Sequence, residues 1–309
     1  MRILQILIFA ILLLPARSQS GPPRDPSWGN LQIRNHGVVI TTTSRLAGAI
    51  HSITWRGREF IDSTDHGRQM QSAASFDNTP EAGPETFNPT EAGSRLDGAG
   101  PRSTSQLLAI SKSGSSLETR TRMAFWLAPG ERSDGQLARN REPLSRHILT
   151  RNLTIGLDGL PNVLRYEVTF EVPEGEPHTT AQFEALTGYM PAGFSTFHRF
   201  VRDTGQLEPL DDGPGEQADP VVFSTPDGAY AMGIISTEPA PPRAHGPGYG
   251  RFRFHEEKVV KWNCVFRVRD GVPPGPYHFR MFVPIGTRDD VVQAMRKLIG
   301  QPGGASARQ

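Results

Sequence analysis

The chain is short of cysteine, of net charge and of long apolar runs, and each shortage removes a class of function. Its one cysteine, Cys264, stands among 309 residues. It cannot close an internal disulfide or build a cysteine-ligated zinc site. Cys264 keeps register with Trp262, Phe266 and Val268, which predicts a buried thiol rather than a reactive one. Lys and Arg number 33 against 32 Asp and Glu, a net charge of +1. Loss of Arg2 and Arg17 with a cleaved leader would turn that +1 into −1. With no basic excess, nucleic acid is not an expected partner. Beyond Leu14 no apolar run is long enough to span a bilayer. The chain also lacks a G-x-S-x-G elbow, a Walker motif, the i, i+4 histidine pair of zinc proteases, an EF-hand spacing, heptads and internal repeats.

What is abundant is glycine and proline, 32 and 27 residues, which favours many short turns over long helices. The opening residues 1–20 read as a secretory leader. Arg2 supplies the basic end, Ile3 to Leu14 the apolar run, and Ala16, Ser18 and Ser20 the small residues about the cleavage site. The mature chain is therefore expected to be secreted or periplasmic, with no membrane attachment after cleavage. Residues 21–300 are expected to form one domain and 301–309 a loose tail.

Within that domain the periodicity is that of strands. Leu164, Tyr166, Val168, Phe170 and Val172 alternate with Arg165, Glu167, Thr169 and Glu171. Leu149, Leu153, Ile155 and Leu157 share one parity before the turn residues Asp158 to Pro161, which predicts a hairpin. Leu31–Ile40, Ala47–Trp55, Phe252–Phe254 and Tyr277–Val283 also read as strands. One helix is expected: Thr287 caps it, Asp289 and Asp290 suit its positive end, Val291, Val292, Met295, Leu298 and Ile299 mark one face, and Gly300 and Pro302 end it. The fold class this predicts is all-β, a large antiparallel β-sandwich with a short C-terminal helix.

The stretch from Asp65 to Asp97 breaks the alternation and gathers hydrogen-bonding side chains among glycines and prolines. It is read as the lip of a polar ligand site. His66 and Arg68 flank Gly67, followed by Gln69 and Gln71; His66 can move a proton near neutral pH, and Arg68 can grip a carboxylate or hydroxyls. The same residues could also form a polar strand that satisfies nearby backbone groups. Asn88 is held extended by Pro89, and Glu91 two residues on is either a general acid or base or part of a turn capped by Thr90 or Ser94. A second acidic loop, Asp211 to Pro220, offers Glu216 as a second carboxylate. Read blandly, that loop is a solvated turn, braced at most by a calcium ion. His198 sits near Tyr189, Phe194, Phe197 and Phe200, aromatics that either stack on sugars or fill a core. The expected catalytic residues are His66, Glu91 and Glu216. Arg68, Gln69, Gln71, Asn88 and His198 are expected to bind substrate, with no cofactor and no catalytic metal.

Gly48-Ala-Ile-His-Ser-Ile-Thr-Trp-Arg-Gly-Arg-Glu-Phe-Ile61, followed by Gly67-Arg68, resembles the opening hairpin of galactose-mutarotase-like proteins. The resemblance implies a β-supersandwich whose concave sheet binds sugar. Aldose mutarotases of that superfamily place a histidine acid before a Tyr-Phe-Asn strand and a glutamate base late in the chain. Here the first motif is missing, His198 follows Phe197 at a similar relative place, and no late glutamate has that context. The expected partner is a carbohydrate or polysaccharide. Hydrolysis, β-elimination and epimerisation all stay open, as does a noncatalytic glycan-binding or structural sandwich.

Overall fold

The computed structural model of the protein describes residues 29–77 and 85–300. The expected leader (1–20), the tail (301–309) and residues 78–84 of the polar stretch lie outside the described residues.

The alternation seen in the sequence resolves into two antiparallel sheets packed face to face. The first has eight strands, in spatial order Asn30–Asn35, Val38–Thr43, Ile50–Trp55, Met70–Phe76, Ala181–Pro191, Val259–Val268, Ala244–Phe254 and Gly215–Gln217. The second has nine: Gln106–Ser113, Ser116–Phe125, Leu144–Leu157, Leu160–Val172, Gly275–Gly286, Ala231–Ile234, Val221–Ser224, Thr196–Val201 and Gln206–Leu210. A short strand, Pro89–Thr90, pairs with Met70–Phe76 on one side and Ser116–Phe125 on the other, joining the sheets at one edge. Between them lies one apolar core, with Ile53, Met70, Phe183, Trp262 and Phe266 from the first sheet facing Leu149, Tyr166, Phe170, Phe279 and Met281 from the second. The fold is therefore an all-β antiparallel sandwich.

The predicted hairpin is present, with Leu157 opposite Leu160 and Leu153 opposite Tyr166. So is the helix, Arg288–Gly300. Thr287 Oγ1 accepts from Asp290 N at 3.2 Å, and Asp290 Oδ2 accepts from Thr287 N at 3.0 Å, a reciprocal cap. Val291, Ala294, Met295 and Leu298 then bury against Val163, Phe200, Val222 and Ile235 on the outer side of the second sheet. Cys264 is fully buried, and burial pushes its thiol far above the ordinary range.

Two local expectations need correction. Leu31–Ile40 is not one strand: His36 (φ 46°) and Gly37 (φ 80°) turn the chain between Asn30–Asn35 and Val38–Thr43. A two-residue hairpin loop with positive φ at both positions reverses the chain with little disturbance to the hydrophobic alternation. The stretch His66–Gln71 is extended only from Met70. Before it, Asp65 Oδ1 accepts from Gly67 N at 2.9 Å and folds the chain into an Asx turn.

A candidate functional cleft on the outer face of the first sheet

Strand parity decides which side chains leave the sandwich. On Val259–Val268 the core takes Val260, Trp262, Cys264, Phe266 and Val268, so Lys261, Asn263 and Arg267 point to the opposite face. On Ala181–Pro191 a bulge between Glu184 and Leu186 adds one residue, and Gln182, Glu184, Thr187 and Tyr189 share that outer face. Gln71, Ala73 and Ser75 of Met70–Phe76 stand beside them, in register with Thr187, Glu184 and Gln182. These residues floor a cleft, and Gly67, Asn88, Thr90 and Trp126 rim it. A Cβ on Gly67 would stand 2.9 Å from the Trp126 ring, so the absence of a side chain there is what lets the indole close over the rim.

The floor carries charge. Lys261 Nζ lies 3.3 Å from Glu184 Oε2, with side-chain exposures of 3% and 12%. Asn263 Nδ2 donates to Glu184 Oε1 at 3.3 Å. The ammonium also sits 5.4 Å from the ring centres of Tyr189 and Phe252. Burial works against that ammonium, but Glu184 and Tyr189 outweigh it, and Lys261 titrates above the usual lysine range. Burial pushes the Tyr189 phenol up, with Lys261 opposing. Beside the cleft Tyr189, Phe254 and Phe252 form a row of stacked rings, 6.2 and 6.4 Å apart, the two phenylalanines partly exposed.

Of the residues expected from sequence, Gln71 and Asn88 line this cleft. Gln71 Oε1 accepts from Ala92 N at 3.1 Å, which ties the floor to the rim. Glu216 reaches it indirectly: Arg267 clasps both carboxylate oxygens at 2.7 Å and donates from Nε to Gln182 Oε1 at 3.0 Å. The other acids of that loop are matched by arginines too, Asp211 by Arg251, Asp212 by Arg253 and Asp219 by Arg199.

The remaining expected residues lie elsewhere. His66 is buried, its Nδ1 2.7 Å from Gly98 O and its Nε2 2.8 Å from Arg45 O. Both ring nitrogens therefore face backbone carbonyls and not the cleft. Gln69 is buried, with Nε2 donating to His66 O at 2.8 Å, and Arg68 pairs with Asp65 at 2.9 Å. Glu91 is fully buried between the sheets, with its Oε1 2.6 Å from Arg151. His198 is on Thr196–Val201 in the second sheet, where burial and nearby Arg288 lower its pKa.

Sequence reasoning missed Glu184, Lys261, Gln182 and Trp126. Lys261 and Asn263 had left a trace: they stand two positions apart, in the parity opposite to Trp262, Cys264, Phe266 and Val268.

No protein-family model matches the chain, and no curated protein matches it. Among solved structures it is similar to the Slr1438 protein from Synechocystis sp. PCC 6803, at 11% identity over 88% of this chain and 99% of that one, with a TM-score of 0.49. It is also similar to a candidate aldose 1-epimerase from Klebsiella pneumoniae subsp. pneumoniae, at 10% identity over 85% and 81% of the two chains and a TM-score of 0.40. A third is the GH36 α-galactosidase AgaA from Geobacillus stearothermophilus, at 9% identity and a TM-score of 0.48, where the match covers 89% of this chain but 43% of that one. These are likenesses of fold alone.

Proposed function

We propose that the protein binds a carbohydrate in the cleft floored by Gln71, Gln182, Glu184 and Lys261, and that Glu184 moves a proton there. The observation that carries this reading is the Glu184–Lys261–Tyr189 cluster, desolvated on a sheet face whose other lining groups are amides, hydroxyls and aromatic rings. Amides and hydroxyls exchange hydrogen bonds with sugar hydroxyls, and Trp126 with the Tyr189–Phe254–Phe252 row offers the flat faces that sugar C–H groups pack against. Glu184 is the one carboxylate among the described lining residues. Paired-carboxylate hydrolysis therefore has less support than a reaction that takes one proton from a sugar carbon or hydroxyl, as in epimerisation or β-elimination. A second reading, binding without turnover, has its own support. Glu184 is already engaged by Lys261 and Asn263, and the pair could serve as a fixed hydrogen-bonding platform. In either case the protein is read as working outside the cytoplasm.

The test takes a panel of monosaccharides, uronates and polysaccharides with the wild-type chain, Glu184→Gln and Trp126→Phe. Anomer exchange by proton NMR, unsaturated products by absorbance and new reducing ends separate epimerisation, elimination and hydrolysis. The expected result is a 10²- to 10⁴-fold loss of the active reaction in Glu184→Gln, with binding weakened in Trp126→Phe. Binding retained with no turnover in any assay would select the second reading. A sugar ligand whose binding is indifferent to both substitutions would exclude the cleft.

A further inference from the structure

We propose that His147, Glu176 and His178 form a binding site for a divalent transition-metal ion of the zinc type. His147 stands near the start of Leu144–Leu157 in the second sheet. Glu176 and His178 belong to the loop between Leu160–Val172 and Ala181–Pro191. One ligand atom from each lies within 4.8 Å of the others. Glu176 Oε1 is 3.6 Å from His147 Nε2 and 3.4 Å from His178 Nε2. The edge of a tetrahedron built on zinc bonds of about 2.0–2.1 Å is roughly 3.3–3.4 Å, so one of the three edges already has that size and a second is about 0.2 Å longer.

A second observation points to a ligand. His147 is 3% exposed in its side chain, yet neither ring nitrogen has a hydrogen-bond partner among the described residues. A buried imidazole is ordinarily satisfied, and a cation bound at Nε2 would satisfy this one. The surroundings are those of a metal-binding histidine. Asp77 Oδ2 accepts from His178 Nδ1 at 2.8 Å, so Nε2, which meets Glu176 Oε1 at 3.4 Å, is the nitrogen placed to bind an ion shared with that carboxylate. Asp77 is itself fixed by Thr179, whose N and Oγ1 donate at 2.6 and 3.0 Å. Arg146 takes Glu176 Oε2 at 3.1 Å and leaves Oε1 to face the two imidazoles. Phe76 stacks on His178 at 4.4 Å and lies 4.8 Å from His147, an apolar wall on one side.

Two imidazoles and one carboxylate suit zinc and its neighbours rather than calcium or magnesium, which favour sets made of oxygen. Three protein ligands leave a fourth position for water. The ion would link the second sheet to the loop that leads into the cleft-bearing strand Ala181–Pro191.

The experiment uses the full chain made without a histidine tag and stripped with a chelator. Calorimetric titration with zinc chloride is expected to give one bound ion and a raised unfolding midpoint, and cobalt(II) is expected to give visible d–d absorption bands. Calcium and magnesium should do neither. His147→Gln, His178→Gln and Glu176→Gln should each weaken zinc binding at least tenfold, and Asp77→Asn about tenfold or more through the orientation of His178. His255→Gln, a substitution at an exposed hairpin tip, should leave it unchanged. Because Glu176 is partly exposed, its variant keeps the test open if a buried-histidine variant does not fold. No saturable zinc binding by the folded wild-type chain, or equal affinity in Glu176→Gln, would overturn the assignment.

Discussion

Lys261 and His198 show how burial alone does not decide a protonation state. Lys261 is the more deeply buried, but Glu184 lies within ion-pair distance, and its charge persists through neutral pH and beyond the ordinary lysine range. At His198 burial disfavours the imidazolium, nearby Arg288 adds to the effect, and Nδ1 has no hydrogen-bond partner among the described residues. Its folded pKa therefore lies below the unfolded value of about 6.5. As pH falls below that value the unfolded chain takes up a proton that the folded one resists. The stability contributed by neutral His198 is complete above the unfolded pKa and is lost progressively as pH falls through the folded one. His198→Gln cannot titrate and should flatten the decline in unfolding free energy between pH 7 and pH 5, as read by denaturant unfolding at a series of pH values. An unchanged decline would mean that His198 is freely protonated in the folded chain.

Single elements owe their geometry to close approaches. Gly188 faces the core from Ala181–Pro191, opposite Trp262. A Cβ there would come within 2.4 Å of the indole, which is 1% exposed and donates from Nε1 to Met190 S at 3.3 Å. Gly188→Ala would force the ring and its strand apart at a cost of about 1–3 kcal/mol, and a drop of several degrees in the unfolding midpoint should report it. A midpoint within one degree of wild type would show that the ring has room to shift. Trp262 sits next to Lys261, so the close fit beneath the sheet also helps set the floor of the cleft above it. The sequence showed much of this architecture. The alternation at Leu164–Val172, the turn at Asp158–Pro161 and the cap at Thr287 each have a local signature, and each is present in the fold. The cleft was harder to see, because its residues meet only through pairing between distant strands. Glu184 and Lys261 are 77 positions apart in sequence, and the bulge that brings Thr187 and Tyr189 onto the face of Glu184 has no residue signature of its own. Gln71 and Asn88, which line the cleft, fall within a compositional break. The same break drew His66 and Glu91 into the expected site, since polarity in sequence does not distinguish a side chain at a cleft from one satisfying a buried backbone.

At the scale of the whole molecule, a buried charged pair and its hydrogen bonds connect the two sheets through the core. Arg151, from the second sheet, donates to Glu91 Oε1 and to Gly48 O, both at 2.6 Å. Glu91 Oε2 accepts from Ser72 N of the first sheet at 3.0 Å, and Ser72 Oγ meets Tyr166 Oη of the second at 2.8 Å. Both charged side chains are 0% exposed. Burial pushes the Glu91 carboxyl up, with Arg151 and the Ser72 N–H acting in the opposite direction. The two single substitutions therefore should not cost the same. Glu91→Gln leaves a guanidinium that cannot lose its proton inside the core, and breaking a buried pair in this way costs about 3–5 kcal/mol. Arg151→Met leaves a carboxyl that can neutralise by taking up a proton, so its cost should be smaller at pH 5 than at pH 8. The double variant, Glu91→Gln with Arg151→Met, removes both charges and should be more stable than Glu91→Gln alone. A double variant whose loss equals the sum of the two single losses would show that the pair does not act as one unit across the sandwich. If the connection is structural, the double variant should also retain whatever binding and turnover the wild-type cleft shows.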